Sequence, residues 1–315
     1  MLTEMVAEVH AATLDDQWLA EVLPVLEKEY DFWMNSSLHH YLPELGLNVF
    51  ASQMSTPRPE SYFEDLRTAA EAQKLGRKAE EVYRGIRSGA ETGWDFSTRW
   101  LANASEGMAS VDAHNVVPVD LNCVLLRMER HLAFFRRREG GGRFAAAAAR
   151  RERAMRSVLW VEDLKSFRDF RLDLGRPSAA ASISDFAAPL WAGLGKKDRA
   201  FLEALKTSGL LQAAWNAWAP LQLMLVEGLE QMQLPGATEL AEEMAKRWLR
   251  NCFEAWQKQG AMFEKYDAFV VGQGGGGGEY TPQTGFGWSN GVALALLVKN
   301  DERSSPYVPG VTIFS

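Results

Sequence analysis

The pattern of hydrophobic and polar positions along the chain is mainly helical. Apolar residues recur at helical spacing from Leu19 to Trp33 after a polar start at residues 13–16, which predicts a long amphipathic helix. Alternation with a period of two, which is typical of strands, is scarce, so the chain is predicted to be all-α. Further helices are predicted at roughly 61–73, 77–90, 119–138, 143–160, 186–208, 219–232, 237–259 and 288–299.

The helical pattern is interrupted at three main places, which are residues 57–59, residues 104–118 and the glycine run 272–278. The chain has 315 residues, with no fixed-period repeat and no linker of the kind that separates domains. We therefore expect one domain covering residues 1–315.

Composition and charge exclude several classes of protein. The chain is 47% hydrophobic and 24% charged, which argues against a disordered chain, a collagen-like repeat or a small disulfide scaffold. Its net charge of -7 opposes non-specific attraction to nucleic acid or to anionic lipid. No stretch approaches the roughly 18 uninterrupted apolar residues of a membrane-spanning helix, so no membrane segment is expected in this chain.

One stretch runs against the overall acidity, because residues 127–156 hold ten arginines and three acidic residues. Its aromatic content is low, whereas a single-stranded nucleic acid site usually interleaves aromatic residues for stacking. We interpret the stretch as the solvated basic face of two helices joined by a glycine turn. Binding to RNA or to an anionic surface is the alternative, and no nucleic acid partner is expected.

Motifs for metals and organic cofactors are weak. The five histidines have no zinc-ligand spacing, and Cys123 and Cys252 belong to no C-x-x-C pair. The glycine run matches the dinucleotide pattern, but Pro282 follows it where a helix N-terminus would be needed. Residues 287–291 have nucleophile-elbow spacing, but no histidine follows them in the sequence. Neither a metal nor a cofactor is expected.

Separated blocks of residues, in a specific order and spacing, point to one family. The sequence resembles the trehalase family in residues 58–65 (RPESYFED), 91–100 (ETGWDFSTRW), 117–122 (VPVDLN), 263–267 (FEKYD), 274–280 and 285–291 (GFGWSNG). The similarity extends with gaps from about residue 20 to 300.

The resemblance implies both a fold and a reaction. Trehalases of this type are inverting glycoside hydrolases built on an (α/α)6 toroid, and they split α,α-trehalose into two glucose molecules. Such an enzyme needs a carboxylic acid that protonates the leaving oxygen and a carboxylate that activates water on the opposite face of the sugar, with the two groups about 6.5–9.5 Å apart. By matching position, the resemblance implies Asp95 as general acid and Glu264 as general base. It implies sugar contacts from Arg58, Glu60, the Gly93 backbone and Glu279.

The sequence also departs from the family pattern. An upstream glycine-rich block that trehalases carry before the position of Arg58 is missing, so the chain resembles the C-terminal part of a trehalase. We therefore expect an incomplete toroid and weak activity. The alternative is a catalytically inactive homologue that serves as a helical binding or regulatory protein. The location is not fixed by the sequence, although the resemblance suggests an extracellular or membrane-anchored protein if an upstream segment is missing.

Overall fold

The protein is described by a computed structural model that covers residues 2–138, 140–211, 218–267, 270–276 and 283–304, with side chains to residue 299. The chain divides into two compact units. Unit 1 comprises Met1–Val161 and Arg168–Ala181, and unit 2 comprises Glu162–Phe167 and Ser182–Ser315. The expectation of one domain stays a prediction.

The described residues are mostly helical, as the sequence predicts. The helices are α1 Leu2–Thr13, α2 Asp16–Met34, α3 Tyr62–Lys74, α4 Ala79–Glu91, α5 Val119–Phe135, α6 Gly142–Val158, α7 Ser184–Trp191, α8 Arg199–Thr207, α9 Ala219–Gln231, α10 Ala237–Gln259 and α11 Gly287–Ser304. The strands are two residues long: β1 Tyr41–Leu42, β2 Leu47–Asn48, β3 Val116–Val117, β4 Trp160–Val161, β5 Ser166–Phe167, β6 Phe170–Arg171 and β7 Arg176–Pro177.

Two hydrophobic clusters form the core of unit 1. One lies where α1, α2, α5 and α6 meet, and its fully buried members include Leu26, Leu125 and Leu132. The other joins α3 and α4 to the loops after them, around Ile86 and Trp100. Two small antiparallel sheets connect these helices, β1 with β2, and β3 with β6 and β7. The loop after α4 packs on the cluster around Ile86 and Trp100 through Trp94 and Phe96.

Unit 2 is built around close contact between α7 and α9. A Cβ added at Gly228 would lie 2.4 Å from the Cβ of Leu190, so only glycine permits this approach of the two helices. The rings of Phe186 and Phe201 stack with centroids 5.2 Å apart beside this contact. Helix α11 is joined to α9 by Lys299, which is within 3.4 Å of both Glu227 and Glu230.

The observed helices differ from the predicted ones in two places. Helix α1 was not predicted, although Leu2, Met5, Val6 and Val9 recur at helical spacing within it. The segment expected as one helix at 186–208 forms α7 and α8, separated by residues 192–198. A Cβ at Gly195 would lie 2.6 Å from the ring of Phe201, so this connection is a close approach of backbone to side chain.

The arginine-rich stretch is partly internal, which corrects its interpretation as a solvated face. Arg151 of α6 is 2% exposed, and its guanidinium lies 3.0 Å from a carboxylate oxygen of Glu129 on α5. Its Nη1 also donates to Asn48 and Asn122 at 2.9 Å. Further arginines of the stretch are paired, Arg127 with Glu4, Arg136 with Glu27 and Arg156 with Glu152. The absence of a nucleic acid partner stays a prediction.

Within the part of the chain that the structure describes, no helix combines the length and the apolar character needed to cross a bilayer.

Removal of the Arg151 side chain should destabilise unit 1 strongly. Arg151→Ala would leave the Glu129 carboxylate buried without its cation, which costs about 3–5 kcal/mol. The control Arg156→Ala removes the exposed ion pair between Arg156 and Glu152, which lie one helical turn apart on α6. It should lower the free energy of unfolding by about 0.5 kcal/mol or less. Urea unfolding of both variants measures the difference. Equal losses of stability in the two variants would show that the buried pair of Arg151 and Glu129 does not hold α5 to α6.

Unit 1 should lose stability as the pH falls through the range in which unfolded histidine takes up a proton. Burial, with help from the positive charges of Arg84 and Arg77, lowers the pKa of His114 from 6.5 to about 4. The unfolded chain therefore binds a proton near pH 6.5 and the folded chain only near pH 4, so the stability present above pH 6.5 is lost on acidification.

The variant His114→Gln measures this contribution, because glutamine does not titrate. Between pH 7 and pH 4.5 the free energy of unfolding of the unaltered chain should fall by about 1–3 kcal/mol more than that of the variant. Parallel pH profiles would contradict the assignment to His114.

Candidate active site

The first predicted site segment enters α3 and is fixed by an ion pair. Arg58 is 6% exposed, and its Nη2 and Nε donate to both oxygens of the buried Asp65 carboxylate at 2.7–3.2 Å. The backbone N–H of Arg58 donates to the same carboxylate at 2.8 Å. Asp65 thus determines the position of both the backbone and the side chain of Arg58. Glu60 lies two residues on, exposed in the single turn Pro59–Ser61.

The second segment is the loop that follows α4. Gly93 has φ of +69°, a left-handed conformation that glycine adopts without strain. The backbone N–H of Trp94 donates to the Thr92 hydroxyl at 2.8 Å. The N–H of Ser97 donates to the Trp94 carbonyl at 2.6 Å, which closes a tight turn. Asp95 lies inside this turn and is half-buried.

Aromatic side chains on both sides of Asp95 anchor the turn. Trp94 and Phe96 pack on the buried cluster that contains Trp100 and Ile86. The Arg58 guanidinium lies 5.2 Å from the centroid of the Phe96 ring, a cation–π contact. The structure therefore brings Arg58, Gly93 and the turn with Asp95 together within unit 1.

A buried arginine lies directly behind this turn. Arg99 donates to both oxygens of Asp120 at 2.6 and 2.9 Å, and to both oxygens of Asp169. Its guanidinium is 4.9 Å from the ring centroid of Trp94 and 4.5 Å from that of Trp100. Burial alone would lower the pKa of Arg99, but the two carboxylates raise it well above its usual value. The guanidinium is therefore charged at every working pH.

The third segment lies in unit 2 and contains Glu264, which is 2% exposed. Its backbone N–H donates to the Gln283 carbonyl at 2.9 Å, and its Oε2 accepts the Gln283 N–H at 3.1 Å. Its carbonyl accepts the indole N–H of Trp288 at 2.7 Å. Backbone and side chain of Glu264 are thus both held by the segment that leads into α11.

The neighbours of Glu264 are fixed in the same manner. The Ser289 hydroxyl donates to the Phe263 carbonyl at 2.5 Å, and the backbone N–H of Phe263 donates to the Tyr266 hydroxyl at 3.2 Å. Tyr266 is fully buried, with its ring 5.1 Å from that of Trp248. Burial also raises the pKa of the nearby Cys252 thiol to about 12, so this thiol is protonated and poorly nucleophilic at neutral pH.

The first residues of the glycine run form hydrogen bonds with the segment that contains Glu264 and with α10. Gly275 donates its N–H to the Lys265 carbonyl at 2.9 Å, and Gly272 donates its N–H to the Asn251 side chain at 2.6 Å. Glu279, the remaining residue with an expected sugar contact, lies outside the described residues. In residues 2–138, 140–211, 218–267, 270–276 and 283–299, no three His, Cys, Asp or Glu side chains are arranged to hold a metal ion.

The carboxylates that hold Arg58 and Arg99 were not among the predicted site residues. Asp65, Arg99 and Asp120 all lie in blocks that carry the family resemblance. Their place in those blocks is the signal that could have identified them as site residues. Asp169 lies in no such block, and 70 residues separate it from Arg99. The pairing of Asp95 with Glu264 across a cleft stays a prediction.

Comparison with known proteins identifies the family. The family model described as Trehalase matches residues 1–300. A probable trehalase of Oryza sativa is 37% identical over 345 residues that cover 94% of this chain. A periplasmic trehalase of Pseudomonas aeruginosa is also 37% identical and covers 87% of this chain.

The structure of neutral trehalase Nth1 from Saccharomyces cerevisiae aligns with 95% of this chain at a TM-score of 0.67 and 19% identity. The predicted fold class is confirmed, since the chain shares the helical toroid fold of that enzyme. The chain spans 60% of the rice protein, 55% of the Pseudomonas protein and 61% of the yeast chain. From the match over residues 1–300 and these identities, the chain belongs to the trehalase family.

Proposed function

We propose that this chain hydrolyses α,α-trehalose to two glucose molecules by an inverting mechanism. The main support is that a member of the trehalase family keeps a carboxyl group at both positions that the reaction needs, each on a loop held by several hydrogen bonds. Retention of both groups favours an enzyme over an inactive binding or regulatory homologue, which has no use for either. The reaction requires neither a metal nor a cofactor.

In the proposed mechanism Asp95 is the general acid. Its carboxyl proton moves to the glycosidic oxygen as the bond from that oxygen to the anomeric carbon breaks. The flanking Trp94 and Phe96 support this role, because their packing limits the motion of the Asp95 backbone. An acid held near the bond that breaks loses little entropy on reaching the transition state.

Glu264 is the proposed general base. Its carboxylate takes a proton from a water molecule, whose oxygen attacks the anomeric carbon from the face opposite the leaving sugar. The burial of Glu264 and the hydrogen bond from the Gln283 N–H to its Oε2 support this role by fixing the carboxylate direction. One glucose is then released with an inverted anomeric carbon, and the other keeps its α configuration.

Sugar contacts are proposed for Arg58, Glu60, the Gly93 backbone and Glu279. Charged groups make strong hydrogen bonds to hydroxyl groups, and Arg58 is already oriented by Asp65. The expected weak activity stays a prediction. The periplasmic name of one relative supports a location outside the cytoplasm for this chain too.

Glucose release from trehalose by the purified chain tests the proposed activity. Asp95→Asn and Glu264→Gln should each lower the rate at least about 100-fold, since each removes one partner of the proton transfers. The control variants Asp31→Asn and Glu239→Gln change exposed carboxylates and should leave the rate unchanged. If the unaltered chain releases no glucose, the inactive alternative holds.

The anomeric form of the first product tests the stereochemistry. Inversion gives one α- and one β-glucose for each trehalose, whereas retention gives two α-glucose molecules. Proton NMR in the first minutes, before the anomers equilibrate, should show equal amounts of both. An initial excess of the α form would contradict the general-base role of Glu264.

Arg58→Lys should weaken substrate use without unfolding the chain. Lysine keeps a positive charge beside Asp65 but cannot donate to both carboxylate oxygens in the planar geometry of arginine. We expect kcat/KM to fall about 10- to 100-fold, the value of one charged hydrogen bond. The control Arg67→Lys on the exposed face of α3 should have no effect, and a similar loss there would contradict a specific role for Arg58.

A further inference from the structure

The Arg99 cluster is a candidate for a role beyond stability. Arg99 is 8% exposed, and its Nε, Nη1 and Nη2 donate to two carboxylates that come from distant parts of unit 1. Asp120 lies in the first turn of α5, and Asp169 lies directly before β6. The cluster therefore joins three segments at the point where the turn with Asp95 leaves the core.

The contact between this cluster and the turn is direct. Trp94, which precedes Asp95, covers one side of the Arg99 guanidinium, and Trp100 contacts the same group. The indole N–H of Trp100 donates to the Trp94 carbonyl at 3.2 Å, the same carbonyl that accepts the Ser97 N–H. Both the ring and the backbone of Trp94 are thus fixed by groups whose own positions depend on Arg99.

The carboxylates are held in turn by the backbone of α5. The N–H of Val119 donates to Oδ1 of Asp169 at 2.9 Å, and the N–H of Leu121 donates to Oδ1 of Asp120 at 2.9 Å. These donors belong to the first turn of the helix, where backbone N–H groups have no partner within the helix. The Arg99 guanidinium therefore binds to a carboxylate pair that the helix has already oriented.

We propose that Arg99 is a positioning residue for the general acid, which it holds in its reactive position through Trp94. This inference rests on the proposed function of Asp95. A planar guanidinium fits between two bidentate carboxylates and against flat indole rings, whereas an ammonium group provides neither the plane nor the paired donors. Without the planar guanidinium of Arg99, Trp94 shifts, and Asp95 moves with it.

The test compares two buried arginines of unit 1. Arg99→Lys should lower kcat for trehalose about 10- to 100-fold and leave KM within about twofold, because a small displacement of a reacting group costs rate rather than binding. Arg151→Lys is the matched control, since Arg151 is equally buried and also paired with a carboxylate, but belongs to α6. It should lower the melting temperature without a change in kcat well below that temperature.

Two further variants keep the test decisive if Arg99→Lys does not fold. Asp120→Asn removes one carboxylate and leaves Asp169 paired with Arg99. It should lower kcat less than Arg99→Lys does, again with KM nearly unchanged. In Arg99→Ala, added guanidinium ion should restore part of kcat. A loss of kcat in Arg151→Lys as large as in Arg99→Lys, or an unchanged kcat in both Arg99→Lys and Asp120→Asn, would overturn the proposal.

A separate readout distinguishes failure of this inference from failure of the proposed function. If the unaltered chain releases no glucose, the proposed function fails, and hydrogen exchange of residues 92–100 decides the positioning role. Exchange of the Trp94 and Ser97 amides should accelerate at least about tenfold in Arg99→Lys and stay unchanged in Arg151→Lys. Unchanged exchange in Arg99→Lys would show that the turn does not depend on Arg99.

Discussion

The constraint on which unit 1 depends is that a guanidinium group removed from water needs carboxylate partners. Arg58, Arg99 and Arg151 are each less than a tenth exposed, and each is bound by carboxylates. A buried ion pair adds little net stability, but its geometry is demanding, because misalignment leaves a charge without a partner. Such pairs therefore determine where helices and loops meet more than they determine how stable the unit is.

The two predicted site segments are held in different ways. In unit 1, ion pairs and aromatic rings fix Arg58 and the turn with Asp95. In unit 2, Glu264 is held by backbone hydrogen bonds to Gln283 and by the indole of Trp288. The N–H of Gln283 fixes the direction of the Glu264 carboxylate, whereas Arg58 and Arg99 near the turn with Asp95 are each neutralised by their own carboxylates.

The sequence predicted the helices well where their apolar residues form a continuous stripe. Helix α10 begins and ends where the pattern indicates, whereas the short apolar stripe of α1, from Leu2 to Val9, was missed. The break between α7 and α8 has sequence signals that the prediction did not use, because Gly193, with φ of +75°, follows α7 and Asp198 is the N-cap of α8. Family blocks indicated the site residues, but not their partners. The bond between Arg99 and Asp169 joins residues 70 positions apart, and a single sequence has no signal for it.

The described contacts that support each predicted site carboxylate lie within one compact unit. The turn with Asp95 is held by contacts from residues 58–169 of unit 1, and the Glu264 segment by contacts from residues 248–289 of unit 2. Each segment is therefore oriented by its own unit, so a substitution that loosens one of them, such as at Arg99, leaves the described contacts of the other in place.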